Sequence, residues 1–238
     1  MWGIPISHEE YVNAQNGKWS VLLTPTKPVP AEWFAPFLRN GRLDGVKLLG
    51  LASGGGQQMP IFAALGADCT VLDYSERQLE NECMVSKREG YAINIVRADM
   101  TKRLPFEDCT FDMIFHPVSN CYIEDVYHVW RECFRVSKQG GVLLAGMDNG
   151  LSFLTEKDNP LLIVNKLPYN PLKDDAHYKR DVEIEGCLQF SHTIEEQVGG
   201  QLKAGLVLTD LYEDTDPPES DILGDYVPLY ISTRAVKP

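Results

Sequence analysis

The chain has 238 residues, 44% of them hydrophobic, and a formal net charge of −12 at pH 7. That is enough apolar material for one substantial α/β core and too little length for a second, so residues 1–238 are expected to form a single domain. So large an excess of acids gives no global attraction for phosphate backbones or anionic lipid, and the scattered lysines and arginines form no basic arm; neither nucleic acid nor membrane is expected as a partner.

Residues 1–40 carry Trp2, Tyr11, Trp19, Trp33, Phe34 and Phe37 and are too apolar to be a tail. Pro25, Pro28 and Pro30 keep the middle extended, and a short helix starting at Pro30 or Ala31 puts Trp33, Phe34, Phe37 and Leu38 on one face. Packing accounts for such aromatics; the functional alternative is a lid over a site, with Trp19 touching a substrate. Next, the apolar run Leu48-Leu49-Gly50-Leu51-Ala52 breaks into Ser53-Gly54-Gly55-Gly56 before Gln57 and Gln58 open a helical pattern. A strand entering a glycine turn and then a helix places backbone N–H groups at the carboxyl edge of a sheet, where open α/β folds bind ligands.

A short helix over residues 60–65 is stopped by Gly66. The second strand, residues 69–72, delivers Asp73 about twenty residues past the loop, where a carboxylate accepts from both ribose hydroxyls. Ser75-Glu76-Arg77-Gln78 reads as a capping box, opening a helix through Glu89 that ends at Gly90. Asp73 and Tyr74 then occupy a tight turn, with Tyr74 beside the ribose acid. The third strand, residues 92–97, delivers Asp99 and Met100, with Asp99 an acceptor for an adenine amino group. The fourth, residues 111–115, brings His116-Pro117-Val118-Ser119-Asn120-Cys121-Tyr122 to the same edge. His116 and Tyr122 are the candidates for removing a proton from a nucleophile, His116 being equally suited to a fixed hydrogen bond; Asn120 is a candidate substrate contact.

Val126, Val129, Trp130, Cys133 and Phe134 recur at helical spacing and belong to the core. A fifth strand at residues 142–145 precedes an irregular stretch, residues 148–190, which Pro160, Pro168 and Pro171 interrupt. That stretch reads as a cover that walls in a substrate, through Tyr169, or as a solvated excursion. Thr193-Ile194-Glu195-Glu196 caps a helix ending near Gly205, with His192 at its start, and strands at residues 206–212 and 226–233 close the chain. The six cysteines show no C-x-x-C pair or histidine spacing for zinc, so no metal is expected. With no signal-peptide core in residues 1–17, a reducing cytoplasm is the expected setting.

In order along residues 48–147, Leu51 to Gln58, Val71-Leu72-Asp73-Tyr74-Ser75, Arg97-Ala98-Asp99-Met100, Phe111-Asp112-Met113-Ile114 and Phe134 to Gly141 resemble successive motifs of class I S-adenosylmethionine-dependent methyltransferases. Leu23 to Pro30, His116 to Asn120 and Phe190-Ser191-His192-Thr193 resemble a bacterial branch of unassigned substrate. The resemblance implies a Rossmann-like α/β fold, a doubly wound, mostly parallel seven-stranded sheet with one antiparallel strand near the C-terminus. It also implies S-adenosylmethionine as cofactor, held by Ala52, Ser53, Gly54 and Gly56 of the loop, by Gln58, by Asp73 and Tyr74, by Asp99 and Met100, and by His116. The implied reaction is methyl transfer to an oxygen, nitrogen, sulfur or carbon nucleophile of a small molecule.

Gly50 stands where the family has an acid and Ala52 where it has a glycine. The first change leaves open how the cofactor's ammonium is held, the nearest acceptors being Gln57, Gln58 and the carbonyls of Ala52 and His116. It also keeps alive a non-catalytic S-adenosylmethionine-binding sensor or interaction protein as an alternative. NAD fits less well, because Met59 occupies the third glycine of a G-x-G-x-x-G pattern.

Overall fold

In the computed structural model, which describes residues 3–156 and 159–238, the apolar run at Leu48 forms the central strand β1 (Lys47–Leu51). Its residues alternate between two cores: Leu48 faces Met59, Phe62 and Phe115, while Leu49 and Leu51 face Ile114, Trp130 and Leu143. Around it lie β2 (Asp68–Asp73), β3 (Asn94–Arg97), β4 (Phe111–His116), β5 (Ser137–Asp148), β8 (Val207–Asp214) and β9 (Tyr230–Val236). A separate hairpin is made by β6 (Thr155–Glu156) and β7 (Asn159–Ile163). The sheet order is β3-β2-β1-β4-β5-β9-β8. β9 runs antiparallel to both neighbours and the other pairings are parallel, which is the expected seven-stranded topology with one reversed strand.

The helices are α1 (His8–Gln15), α2 (Met59–Ala64), α3 (Glu76–Glu89), α4 (Val126–Val136), α5 (Asp175–Arg180) and α6 (Gly200–Lys203). The Ser75 hydroxyl caps α3, and Gly90 ends it at φ 74°, a left-handed conformation that glycine adopts without steric cost. Thr193 and Glu196 form the expected reciprocal cap, but the turn it opens is a π-helix, Glu195–Gly199, that runs into α6. The last strand starts at Tyr230 rather than Tyr226. Ile222–Asp225 coil into a 3-10 turn, and the Tyr226 and Val227 amides bond back to the Leu223 carbonyl.

Much of the N-terminal segment packs as core rather than as the expected lid, although Gly3 lines the cleft at the carboxyl edge of the sheet. Ile6, Tyr11, Ala14, Val21, Leu23, Val29, Trp33 and Phe34 are buried in the same core as Leu48. The Val118 amide bonds to the Leu23 carbonyl, and a Cβ on Gly146 of β5 would overlap that carbonyl, so the segment crosses the sheet in direct contact. Burying a large apolar side chain contributes roughly 1.5–3 kcal/mol, so the group before Val29 rivals the whole ~5–15 kcal/mol stability of a domain. Helix α1 was not anticipated from the sequence. Its signal is the Ser7–Glu10 capping box, in which each side chain bonds the other residue's backbone N–H. Trp19 packs edge-on against Phe34 with ring centroids 5.2 Å apart, and Trp2 lies outside the described residues.

Candidate active site

The strand order reverses between β1 and β4, and at their carboxyl ends opens a cleft of about 740 Å³, in the range of small-molecule sites. The glycine loop floors it. Ala52 turns the chain at φ 49°, a left-handed conformation that favours glycine. Gly54 lies so close to α3 that a Cβ would sit 2.8 Å from Gln78 Cβ and 3.0 Å from Asp73 Oδ2. Its amide donates to Asp73 Oδ2 at 3.0 Å, and the Ser75 amide donates to Asp73 Oδ1 at 2.9 Å. The carboxylate is thus fixed at the end of β2, with lone pairs left for a diol.

Asp99 is set the same way: Oδ1 accepts the Thr101 amide at 2.8 Å, and Asp99 lines the cleft beside buried Met100. Tyr74 lines it while staying 70% exposed. Ser53 is buried in the floor, and its hydroxyl has no hydrogen-bond partner. A buried hydroxyl left so costs about 1–3 kcal/mol, a deficit that a bound ligand removes. Among the described residues, two carboxylates and no lysine, arginine or histidine line the cleft. A nucleoside carrying a sulfonium suits that charge, and a pyrophosphate does not.

Gly50 is explained by packing. A Cβ there would lie 2.5 Å from Met59 Sδ and 2.9 Å from its Cε, so an acid would require the end of the Met59 side chain to move. Gly56 is corrected from cofactor contact to packing glycine: it does not line the cleft, its Cβ would meet Val85 at 2.7 Å, and its amide donates to Glu82 Oε2 at 2.9 Å. Sequence reasoning missed Glu82. This carboxyl is fully buried, also accepts the Tyr91 hydroxyl at 3.1 Å, and is pushed up to about 7 by burial. Its signal was an acid on the same buried helix face as Leu79, Val85 and Ser86.

His116 is fully buried, its two ring nitrogens each 2.9 Å from an oxygen, of the Leu51 carbonyl and the Asn120 amide. Burial holds its pKa below the usual histidine value. It does not line the cleft, so proton abstraction and cofactor contact by His116 are corrected to a fixed structural bond. Asn120 is likewise buried, donating to Gln197 Oε1 at 2.8 Å, and is no substrate contact. His192 straps the same turn, with Nε2 donating to the Asn120 and Ile123 carbonyls at 3.1 and 3.0 Å.

Tyr169 is also corrected. Its hydroxyl donates to Asp181 Oδ1 at 2.9 Å and accepts from Arg180 at 2.7 Å, and its ring lines a separate pocket of about 220 Å³. Trp19 does not line the cleft either. Tyr122 does, 57% exposed, and is the remaining candidate for the proton step. Cys187, Leu188 and Phe190, from the end of the irregular stretch, form the far wall with Ile123 and Val118; no periodicity singled them out.

A family model described as a methyltransferase domain matches residues 49–145. An uncharacterized methyltransferase of Bacillus subtilis, YbaJ, is 38% identical over 242 residues, covering 99% of this chain and 91% of its own. Among solved structures, an S-adenosylmethionine-dependent methyltransferase from Mesorhizobium loti superposes with a TM-score of 0.62 at 18% identity, over 87% of this chain and 98% of that one. Geranyl diphosphate C-methyltransferase from Streptomyces coelicolor A3(2), solved with S-adenosyl-L-homocysteine, gives 0.59 at 14% identity, over 87% and 78%. With a whole-length relative of that identity, the expected fold and a cleft suited to the cofactor, the chain belongs to the class I S-adenosylmethionine-dependent methyltransferases.

Proposed function

We propose that the enzyme methylates a small molecule whose body is apolar and carries no anionic group. The observation that carries this reading is the cleft: one cavity with the glycine loop as floor, carboxylates on one side, and Ile123, Leu188 and Phe190 on the other, without a lysine or arginine among its described lining residues. Cys187, Leu188 and Phe190, at the end of the irregular stretch, act as the acceptor's cover. The net charge of −12 supports a small acceptor over a nucleic acid. No helix among the described residues is long and apolar enough to cross a membrane; the cysteine pattern supports a reducing, cytoplasmic setting.

When bound, S-adenosylmethionine supplies an electrophilic methyl group open to in-line displacement. Asp73 would accept from the ribose hydroxyls, Asp99 would accept from the adenine amino group, and Tyr74 would cover the nucleoside from the solvent side. Ile123, Leu188 and Phe190 exclude water and hold the acceptor's apolar body, which makes the encounter effectively unimolecular. Where the acceptor must lose a proton, the Tyr122 hydroxyl relays it, accepting the proton as its own passes to water, since His116 is sealed away. The test is a metabolite extract incubated with enzyme and methyl-labelled S-adenosylmethionine. Label in an extractable, uncharged or cationic small molecule is expected; label confined to RNA or protein, or no transfer to any pool, would overturn the reading.

A further inference from the structure

We propose that Gln58 makes this site recognise its cofactor through the carboxylate of the methionine end rather than through the ammonium. The proposal rests on the cleft holding S-adenosylmethionine. Gln58 lines the cleft at the start of α2 and meets Leu22, whose neighbour Leu23 bonds Val118 just past β4, whereas Asp73 and Asp99 stand at the ends of β2 and β3. Its side chain is nearly buried, and its amide oxygen accepts the Leu22 backbone N–H at 3.2 Å. A carboxamide has one accepting and one donating edge. The N-terminal segment, packed in the core, occupies the accepting edge, so the edge Gln58 offers a ligand is its NH2.

The surroundings have the same sense. The Ser53 hydroxyl, buried and without a partner, can donate to that carboxylate as well, while the buried unpartnered oxygen of Gln78, also a lining residue, lies beside Gly3 and Gly55. Gly50 supplies no side-chain acceptor for an ammonium, and the end of the Met59 side chain packs where one would stand. The two carboxylates that line the cleft are anchored elsewhere, to the amides of Gly54 and Ser75 and of Thr101. A carboxylate only accepts and an ammonium only donates, so donors without an acid favour the first. This reverses the sequence-based expectation that Gln58 accepts from the ammonium.

The test is calorimetry with S-adenosylhomocysteine, its decarboxylated analogue, its deaminated analogue and 5′-methylthioadenosine. Removing the carboxylate is expected to weaken binding about 10- to 100-fold, as loss of a charge-assisted hydrogen bond does, and removing the amine about threefold or less. Gln58→Glu keeps an acceptor for the Leu22 amide but turns the donating edge into an anionic oxygen. It is expected to reverse the order, with the decarboxylated amine binding more tightly than the deaminated acid. Ser53→Ala is expected to weaken the two carboxylate-bearing ligands and leave the decarboxylated one unchanged. Should Gln58→Glu fail to fold, shown by its unfolding temperature, the four ligands on the natural protein decide alone. Methylthioadenosine binding together with equal losses for the two truncated analogues, or a larger loss for the deaminated one, would overturn the role of Gln58 and leave the cofactor reading standing. Failure of all four ligands to bind would overturn the cofactor reading itself.

Discussion

Glu82→Gln is expected to make the protein more stable above pH 7 and to flatten its stability profile. Glu82 is fully buried, its two oxygens accepting the Gly56 amide and the Tyr91 hydroxyl. Burial raises its pKa from 4.5 to about 7, so the folded state holds the proton more tightly than the unfolded one. The contribution is complete below about pH 4.5 and is lost as pH rises through about 7. At about 1.4 kcal/mol per tenfold change in proton binding, that interval corresponds to roughly 3 kcal/mol. Glutamine has a matching shape: its oxygen takes the Gly56 amide, and its NH2 donates to the Tyr91 hydroxyl. Urea unfolding followed by circular dichroism from pH 5 to 8 measures both proteins. The natural protein should lose about 3 kcal/mol relative to the variant over that range. Taking the difference cancels other groups, including His116, whose lowered pKa has the opposite sign and destabilises as pH falls below 6.5. Parallel profiles, or a natural protein that gains on the variant as pH rises, would contradict a proton held more tightly by Glu82 in the folded state.

Gly50→Asp, which restores the family's acid, should destabilise by about 3 kcal/mol or more through overpacking against Met59 and a buried charge, without tightening S-adenosylhomocysteine; melting temperature and calorimetry check both. Deleting residues 1–28 should leave an unfolded or aggregating chain by circular dichroism, because Ile6, Tyr11, Val21 and Leu23 leave the core. His116→Gln should cost about 2 kcal/mol of stability and leave the pH dependence of turnover unchanged. Tyr122→Phe should lower turnover at saturating acceptor with S-adenosylhomocysteine affinity unaltered, measured once a substrate is in hand.

The sheet was legible because its signals are local. An apolar run ending in glycines, acids closing the next two strands and capped helices between them need no tertiary information, and β1, β2, α3 and β4 stand within a few residues of their expected places. Roles set by the direction and depth of a side chain were not. His116 has the chemistry of a base and ends an active-site strand, yet its ring turns inward to Leu51 and Asn120 while Ser119 and Tyr122, a few residues on, face the cleft. Gly54 and Gly56 look alike in sequence, but one lines the cleft and the other packs on Val85. The aromatic N-terminal segment and the Tyr169 cluster carry residue types suited to a substrate wall. Their burial is decided by contacts with β5 and with Arg180 and Asp181, residues distant in the chain or of no periodic signature. Cys187, Leu188 and Phe190 follow no helix or strand period, so only the folded chain shows them reaching the cofactor edge.

As proposed, this cleft binds S-adenosylmethionine through Asp73. The most direct test is parallel calorimetric titration with S-adenosylhomocysteine and NAD, using the natural protein and Asp73→Asn. The natural protein should bind S-adenosylhomocysteine at one saturable site and leave NAD unbound. Asp73→Asn should weaken the nucleoside about 10- to 100-fold while the protein stays folded, since one edge of the amide can no longer accept from the ribose. Saturable NAD binding, or S-adenosylhomocysteine affinity unchanged by Asp73→Asn, would contradict it.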